Sequence, residues 1–168
     1  MAKTKKNLKE AFAGESQANR RYLAFAIQAE EEGYPEMAKL FRAIAEAETV
    51  HALNHLRVLG EVDSTKSNVK KAIEGEEEEI DEMYPEFVKE AEKEENDRAK
   101  TTFNHALSVE KIHKKLLKEA LKLVKQGKDI EKEKIMLCPV CGNTMKGEEI
   151  IDPCPICATA KSEFEEIK

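Results

Sequence analysis

An all-α four-helix bundle followed by a small tetracysteine metal module is the fold class that three features of this sequence predict. Apolar residues recur at helical spacing through roughly the first 130 positions. Each predicted helix carries at least one carboxylate on that apolar stripe. The four cysteines stand as two CxxC pairs between positions 138 and 157. The composition agrees: 37% of residues are charged, 5% are aromatic and Trp does not occur, as in long helices. A hydrophobic fraction of 40% still supports a packed core, and 168 residues suit one domain plus a small module.

The first predicted helix runs from about Thr4 to Glu32 and ends at "GYP", with Gly33 as its C-cap and Pro35 opening the next segment. Its stripe reads Leu8, Phe12, Glu15, Tyr22, Phe25 and Ala29. The second runs from about Glu36 to Leu59 and stops at Gly60. Its inward face begins Met37, Leu40, Phe41, Ile44 and continues Glu48, His51, His55, Val58, so the chemistry turns polar while the period holds. A polar connector, "EVDSTKSN", leads to a third helix starting near Val69, whose stripe includes Ile73, Glu76, Glu79, Ile80, Met83 and Phe87. Pro85 is expected to kink or briefly break it. The fourth, from about Asp97 to Gln126, presents Phe103, Ala106, Glu110, His113, Leu117 and Leu121. "KDIEKEK" then reads as a linker, giving predicted domains at 1–134 and 135–168.

Carboxylates on apolar stripes cost several kcal/mol each to bury unless they are paired or bound to metal. Four such helices converging therefore point to a metal site. A weak internal repeat supports this: Glu15 precedes the Glu48-x-x-His51 motif by 33 residues, and Glu76 precedes Glu110-x-x-His113 by 34. Glu-x-x-His sets both side chains on one helix face. One Glu from each of two helices plus Glu-x-x-His from the other two is the donor set of carboxylate-bridged di-iron bundles. The alternative for either histidine is an ordinary core side chain. His55, one turn past His51, is assigned to packing or to supporting a ligand rather than to ligation, and His105 lies off the stripe.

The segments "EAFAGESQANRRY", "LFRAIAEAETVHALNH", "AIEGEEEEIDEMYPEF" and "ALSVEKIH" resemble the four helix signatures of the rubrerythrins. The resemblance implies a ferritin-like bundle holding a non-haem di-iron centre. Its ligands would be Glu15, Glu48, His51, Glu76, Glu79, Glu110 and His113, with Glu48 and Glu110 bridging. Gly75, Glu76 and Glu79 match the family's "GE-x-x-E"; there, Glu79 and His51 would exchange as ligands to one iron with redox state. Tyr22 and Tyr84 match tyrosines that line the site. The expected catalytic residues are Glu79, as a proton relay, with Tyr22 and Tyr84 holding the carboxylates.

"CPVCGNTMKGEEIIDPCPIC" supplies Cys138, Cys141, Cys154 and Cys157, a tetrahedral thiolate set suited to zinc or iron. Spacing alone does not choose between them. The family resemblance extends here to a rubredoxin-like domain with one iron in an Fe(Cys)4 site. The chain departs from the family pattern at Ala158, usually Gly, and at Asn143, usually aromatic, without losing a ligand.

The resemblance implies a peroxidase for oxidative-stress defence that takes hydrogen peroxide to water. Its electrons would come through the Fe(Cys)4 site from an NAD(P)H-linked reductase or a rubredoxin. It implies a homodimer as well. About ten extended connector residues would reach about 33–36 Å, enough for an intramolecular crossover along the bundle, while exchange of helix pairs between subunits is the alternative. Other functions compatible with these ligands are a ferroxidase and a non-catalytic metal carrier with a zinc ribbon. The net charge of -6 argues against nucleic acid and anionic membranes as partners. "MAKTKKN" leads into an amphipathic pattern rather than a signal-peptide core, so a cytoplasmic location is expected.

Overall fold

Gly33 and Gly60 mark the two ends of the second helix, and both take the left-handed backbone that glycine adopts at no steric cost (φ +81° and +68°). The computed structural model describes residues 3–147 and 150–168; Met1, Ala2, Glu148 and Glu149 lie outside them. The chain divides into two compact units, Met1–Asp63 and Ser64–Lys168. No helix among the described residues is long and apolar enough to cross a membrane.

The first unit is an antiparallel hairpin of α1 (Lys3–Glu31) and α2 (Pro35–Leu59). Its seam buries Ala26, Ala29, Ala38, Ala45 and Ala52 together with Asn19. Small side chains let the two backbones approach closely. The Asn19 amide then uses that proximity, donating from Nδ2 to the Ala45 carbonyl at 2.7 Å and to Thr49 Oγ1 at 2.8 Å. Ion pairs close the hairpin at both ends, Arg42 to Glu30 at 2.7 Å and Lys9 to Glu61 at 3.4 Å. Phe25, Met37, Leu40 and Val58, all assigned to inward stripes, are 47%, 47%, 51% and 72% exposed. Two helices bury one seam only, and the larger side chains flank it.

The second unit begins with α3 (Thr65–Glu78), four residues before the expected start at Val69. Ser64 caps it, its Oγ accepting from the Ser67 N–H at 3.3 Å. The connector between α2 and α3 is therefore 60–64, half the expected length. Pro85 neither breaks nor ends the helix. A π-helical turn, Glu79–Met83, precedes α4 (Tyr84–Lys93), and the Tyr84 N–H reaches back five residues to the Glu79 carbonyl. One extra residue in the turn absorbs the position where Pro85 has no N–H to give. After Asn96, whose side chain caps the next helix at Ala99 N–H, α5 (Asp97–Lys125) runs antiparallel to this rod. Tyr84, Phe87 and Phe103 pack their rings between them with centroids 5.5–6.4 Å apart.

The chain ends in a three-stranded antiparallel sheet of order β2-β1-β3, made of β1 (Ile135–Leu137), β2 (Thr144–Lys146) and β3 (Glu165–Ile167). Phe164 is buried beside Cys138 and Cys154, with Met136, Met145, Ile150 and Ile156 around them. The β2 strand contacts α5.

Candidate metal centres

Three groups of donor side chains are preassembled among the described residues. In the first unit Glu15 of α1 and Glu48 and His51 of α2 bring their ligand atoms within 4.8 Å of one another. His51 Nδ1 lies 2.9 Å from Glu48 Oε2, the same-face geometry expected of Glu-x-x-His. The Asn19 amide fixes the register that brings these helices together, since its partner Thr49 adjoins Glu48. An amide inside "GESQANRRY" breaks the apolar period and carries no sequence signal of that role. Tyr22, one of the expected catalytic residues, stacks on Phe41 at 6.3 Å and meets Phe25 edge-on at 6.1 Å.

In the second unit Glu76 of α3 meets Glu110 and His113 of α5, again within 4.8 Å. His113 Nδ1 lies 2.7 Å from Glu110 Oε2, and its Nε2 lies 3.1 Å from Thr144 Oγ1 on β2. Glu76 Oε2 is buried without a hydrogen-bond partner. Burial pushes the Glu76 carboxyl up to about 8, helped by a hydrogen bond with Glu110 and by the charges of Glu110 and Glu79. A buried carboxylate oxygen with no protein partner, beside a second carboxylate and an imidazole, fits a cation in a carboxylate-and-imidazole site.

Glu79 opens the π-helical turn, next to this group but outside the three atoms that converge. Burial raises its carboxyl, and the charges of Glu110 and Glu78 raise it further against the opposing effect of His113. π-Helical turns inside α-helices often sit at functional sites, where the added residue re-aims a side chain. Tyr84 has its phenol raised by burial and then by the charges of Glu79, Glu110 and Glu76. Its hydroxyl therefore keeps its proton beside the carboxylates. The other glutamates of the acidic run turn elsewhere. Glu77 pairs with Lys118 at 2.7 Å and Lys114 at 3.9 Å, tying α3 to α5 by its outer face, and Glu78 is exposed.

The third group is Cys138, Cys141, Cys154 and Cys157, all with free thiols. Sγ atoms lie 3.5 Å apart for Cys138 and Cys157 and 3.7 Å for Cys141 and Cys154. A tetrahedron with metal–sulfur bonds of about 2.3 Å has edges of about 3.8 Å, so the thiols already stand near coordinating positions. The two knuckles share one backbone plan. Cys138 and Cys154 donate N–H bonds to the carbonyls of Asn143 and Thr159, and accept from Gly142 and Ala158, at 2.8–2.9 Å. This plan requires a left-handed residue after each CxxC. Gly142 supplies it at φ +81°, whereas Ala158 holds φ +61° at a steric cost of about 1–2 kcal/mol. Side chains add donors: Asn143 Nδ2 lies 3.7 Å from Cys154 Sγ, and Thr159 Oγ1 lies 3.0 Å from Cys157 Sγ. Burial opposes ionisation of Cys154, but the backbone N–H groups of Cys157 and Ile156, with the Cys157 and Cys141 thiols, bring it down to about 6. Cys138 is likewise lowered by the N–H groups of Cys141 and Val140 against burial, while burial drives Cys141 up.

Comparison with known proteins meets the same two parts. The rubrerythrin family model matches residues 6–121, and the model of the rubrerythrin rubredoxin-like domain matches 137–165. Rubrerythrin-2 of Clostridium acetobutylicum is 41% identical, with 94% of this chain and 93% of the relative covered. Nigerythrin of Nitratidesulfovibrio vulgaris is 34% identical over 96% of this chain and 85% of its own length. A solved structure of nigerythrin in a mixed-valence state is similar at a TM-score of 0.58 and 34% identity, covering 99% of this chain and 88% of that one. The fold class expected from the sequence holds: four helical rods of a four-helix bundle, and a small C-terminal four-cysteine domain of the rubredoxin-like kind.

Proposed function

Because the chain belongs to the rubrerythrin family, we propose that it is a non-haem di-iron peroxidase, reducing hydrogen peroxide to water with electrons delivered through an Fe(Cys)4 site. The observation that carries this reading is the repeated donor triad, Glu15/Glu48/His51 and Glu76/Glu110/His113. Each triad offers three donors; with Glu79 the set is the one a pair of iron ions needs. The reaction consumes one peroxide, two electrons and two protons and yields two waters. Bound iron would supply the electrons and polarise the O–O bond.

The chain's own residues then hold ligands and handle protons. Glu79 is our proton relay, supported by a carboxyl raised by burial, which brings its affinity for a proton nearer neutral pH. Tyr84, its hydroxyl kept protonated among carboxylates, holds them by donation, and Tyr22 takes that part in the other half. The tetracysteine module, with the domain boundary at 134/135, receives electrons from an NAD(P)H-linked reductase or a rubredoxin. Four free thiols suit the reducing cytoplasm.

The working form we infer is a homodimer that exchanges helix pairs. A five-residue connector reaches about 20 Å, roughly half the length of α2, about 38 Å. That falls short of a crossover running the length of a bundle. Size-exclusion chromatography of metal-loaded protein at micromolar concentration should place the helical-site metal in the dimer alone. A monomer carrying the full complement would overturn the exchange.

Rapid mixing of the fully reduced protein with peroxide and, separately, with oxygen tests the activity. Peroxide should oxidise the helical site faster by at least about tenfold, a barrier difference of about 1.4 kcal/mol. Equal rates would make the protein a ferroxidase rather than a peroxidase. Colourless protein after native production, with zinc among the four cysteines, would favour a metal carrier.

A further inference from the structure

We propose that Thr144, a residue of the tetracysteine module, is a positioning residue for the metal half-site on α5, where it fixes the tautomer and orientation of His113. The inference rests on the metal-site reading of Glu76, Glu110 and His113. Its starting point is a hydrogen-bond chain that leaves the helices. Thr144 Oγ1 lies 3.1 Å from His113 Nε2 and 3.2 Å from the Gly142 carbonyl. A carbonyl only accepts, so a hydrogen bond between Thr144 and Gly142 takes the single hydroxyl proton. With its proton engaged there the oxygen accepts, and the tautomer that satisfies both Thr144 contacts carries the imidazole proton on Nε2.

That assignment decides what Nδ1 can do. In a neutral imidazole with Nε2 protonated, Nδ1 bears only a lone pair, and it points at Glu110 Oε2 across 2.7 Å. Two acceptors at that separation need a cation between them, a metal ion or a second proton on the imidazole. Glu76, whose Oε2 is buried without a partner, brings a carboxylate oxygen within 4.8 Å of the ligand atoms of Glu110 and His113. Metal-ligating histidines commonly donate their other ring N–H to a fixed acceptor, and loss of that acceptor typically costs 10–100-fold in metal affinity. Here the acceptor comes from a separate structural element of the chain.

The Gly142 carbonyl that anchors Thr144 belongs to the first cysteine knuckle, since the Gly142 N–H bonds the Cys138 carbonyl at 2.9 Å. The module is also held against α5 on either side of this contact. Val109 lies 3.9 Å from the position a Cβ on Gly142 would occupy, and Lys146 Nζ lies 3.9 Å from Glu119 Oε2. Seating of the cysteine module and the geometry of His113 are thus one mechanical unit. Metal in the knuckles orders the acceptor for His113, so filling one site favours filling the other, and by linkage the coupling is reciprocal.

The test compares full-length wild type, Thr144→Val and Thr144→Ser, each with zinc bound by the four cysteines, titrated with Co(II) against a chelator. Valine keeps the shape of threonine without the hydroxyl, and a tetrathiolate band on loading the module with cobalt shows that the knuckles remain folded. T144V should weaken Co(II) binding at the helical site about 10–100-fold, and T144S should return it to within about threefold of wild type. Nitrogen NMR of the labelled His113 imidazole should show Nε2–H in the wild type and T144S, and a loss of that preference in T144V. Wild-type affinity and tautomer in T144V, or a serine variant as impaired as the valine one, would overturn the positioning role. Failure of wild type to bind Co(II) any better than His113→Ala would overturn the metal-site reading itself and this inference with it.

Discussion

Replacing Glu110 with alanine should lower steady-state peroxide reduction at least about 100-fold and remove metal from the helical site. Glu110 faces His113 Nδ1 at 2.7 Å and converges with Glu76, so its loss strips a carboxylate from the α5 half-site. Metal polarisation supplies several kcal/mol of transition-state stabilisation, and each 1.36 kcal/mol is about tenfold in rate. Metal content by elemental analysis and peroxide turnover check the result together. Full metal content with unchanged turnover would remove Glu110 from the site.

The same variant carries a signature in the metal-free protein. Glu76 is raised to about 8 by burial first and by Glu110 next. A carboxyl whose folded pKa is raised binds more protons folded than unfolded. Its contribution to stability is therefore full below about 4.5 and is lost as pH rises through about 8. Denaturation of apo protein should show stability falling across that window, and E110A should flatten the fall by taking away part of what raises Glu76. A slope that E110A leaves untouched would mean that Glu110 does not hold the Glu76 proton.

The second large effect is expected of Cys154→Ser. Donor-driven turnover should fall at least about 100-fold, because the substitution removes a buried thiolate ligand already lowered to about 6. The red colour of an oxidised Fe(Cys)4 site should disappear with it. At metal concentrations that saturate the helical site, chemically reduced C154S should still be oxidised by peroxide in a single turnover within about threefold of wild type. That split between donor-driven and single-turnover rates separates electron delivery from peroxide chemistry. A variant that keeps its donor-driven rate would show that electrons bypass the cysteine module.

Much of the site is legible because its chemistry repeats at fixed spacing. Glu-x-x-His on two helices, with a glutamate some 33 or 34 residues before each, names both triads, and the structure brings the donors of each triad within 4.8 Å. The acidic run sorts the same way, since helical period alone sends Glu76 and Glu79 to one side and Glu77 to another. Other features have no periodic signal. Asn19 is polar and sits in an alanine seam, so nothing in its surroundings marks it as the bond that sets the hairpin's register. The π-helical turn at Glu79–Met83 shows in the sequence only as an expected kink, because a proline announces a lost N–H but not how the backbone will absorb it. The connector is half the length its polar composition suggests, since the serine at position 64 caps the helix and the polar residues after it are already helical.

What the sequence determined by itself is the class of fold and the spacing that brings each Glu-x-x-His and its partner glutamate together: local period is a property of neighbouring residues, and helices preserve it. What only the tertiary structure decided is which acceptors those donors meet. Thr144 lies 31 residues from His113, and no spacing rule links a strand of the cysteine module to a helix-borne imidazole. The same holds for the φ of +61° at Ala158, which composition marks as a departure but only the folded knuckle shows to be left-handed. Short-range patterns are fixed by backbone geometry within one element, whereas partners across elements are chosen by packing, and packing is written in no single stretch of the chain.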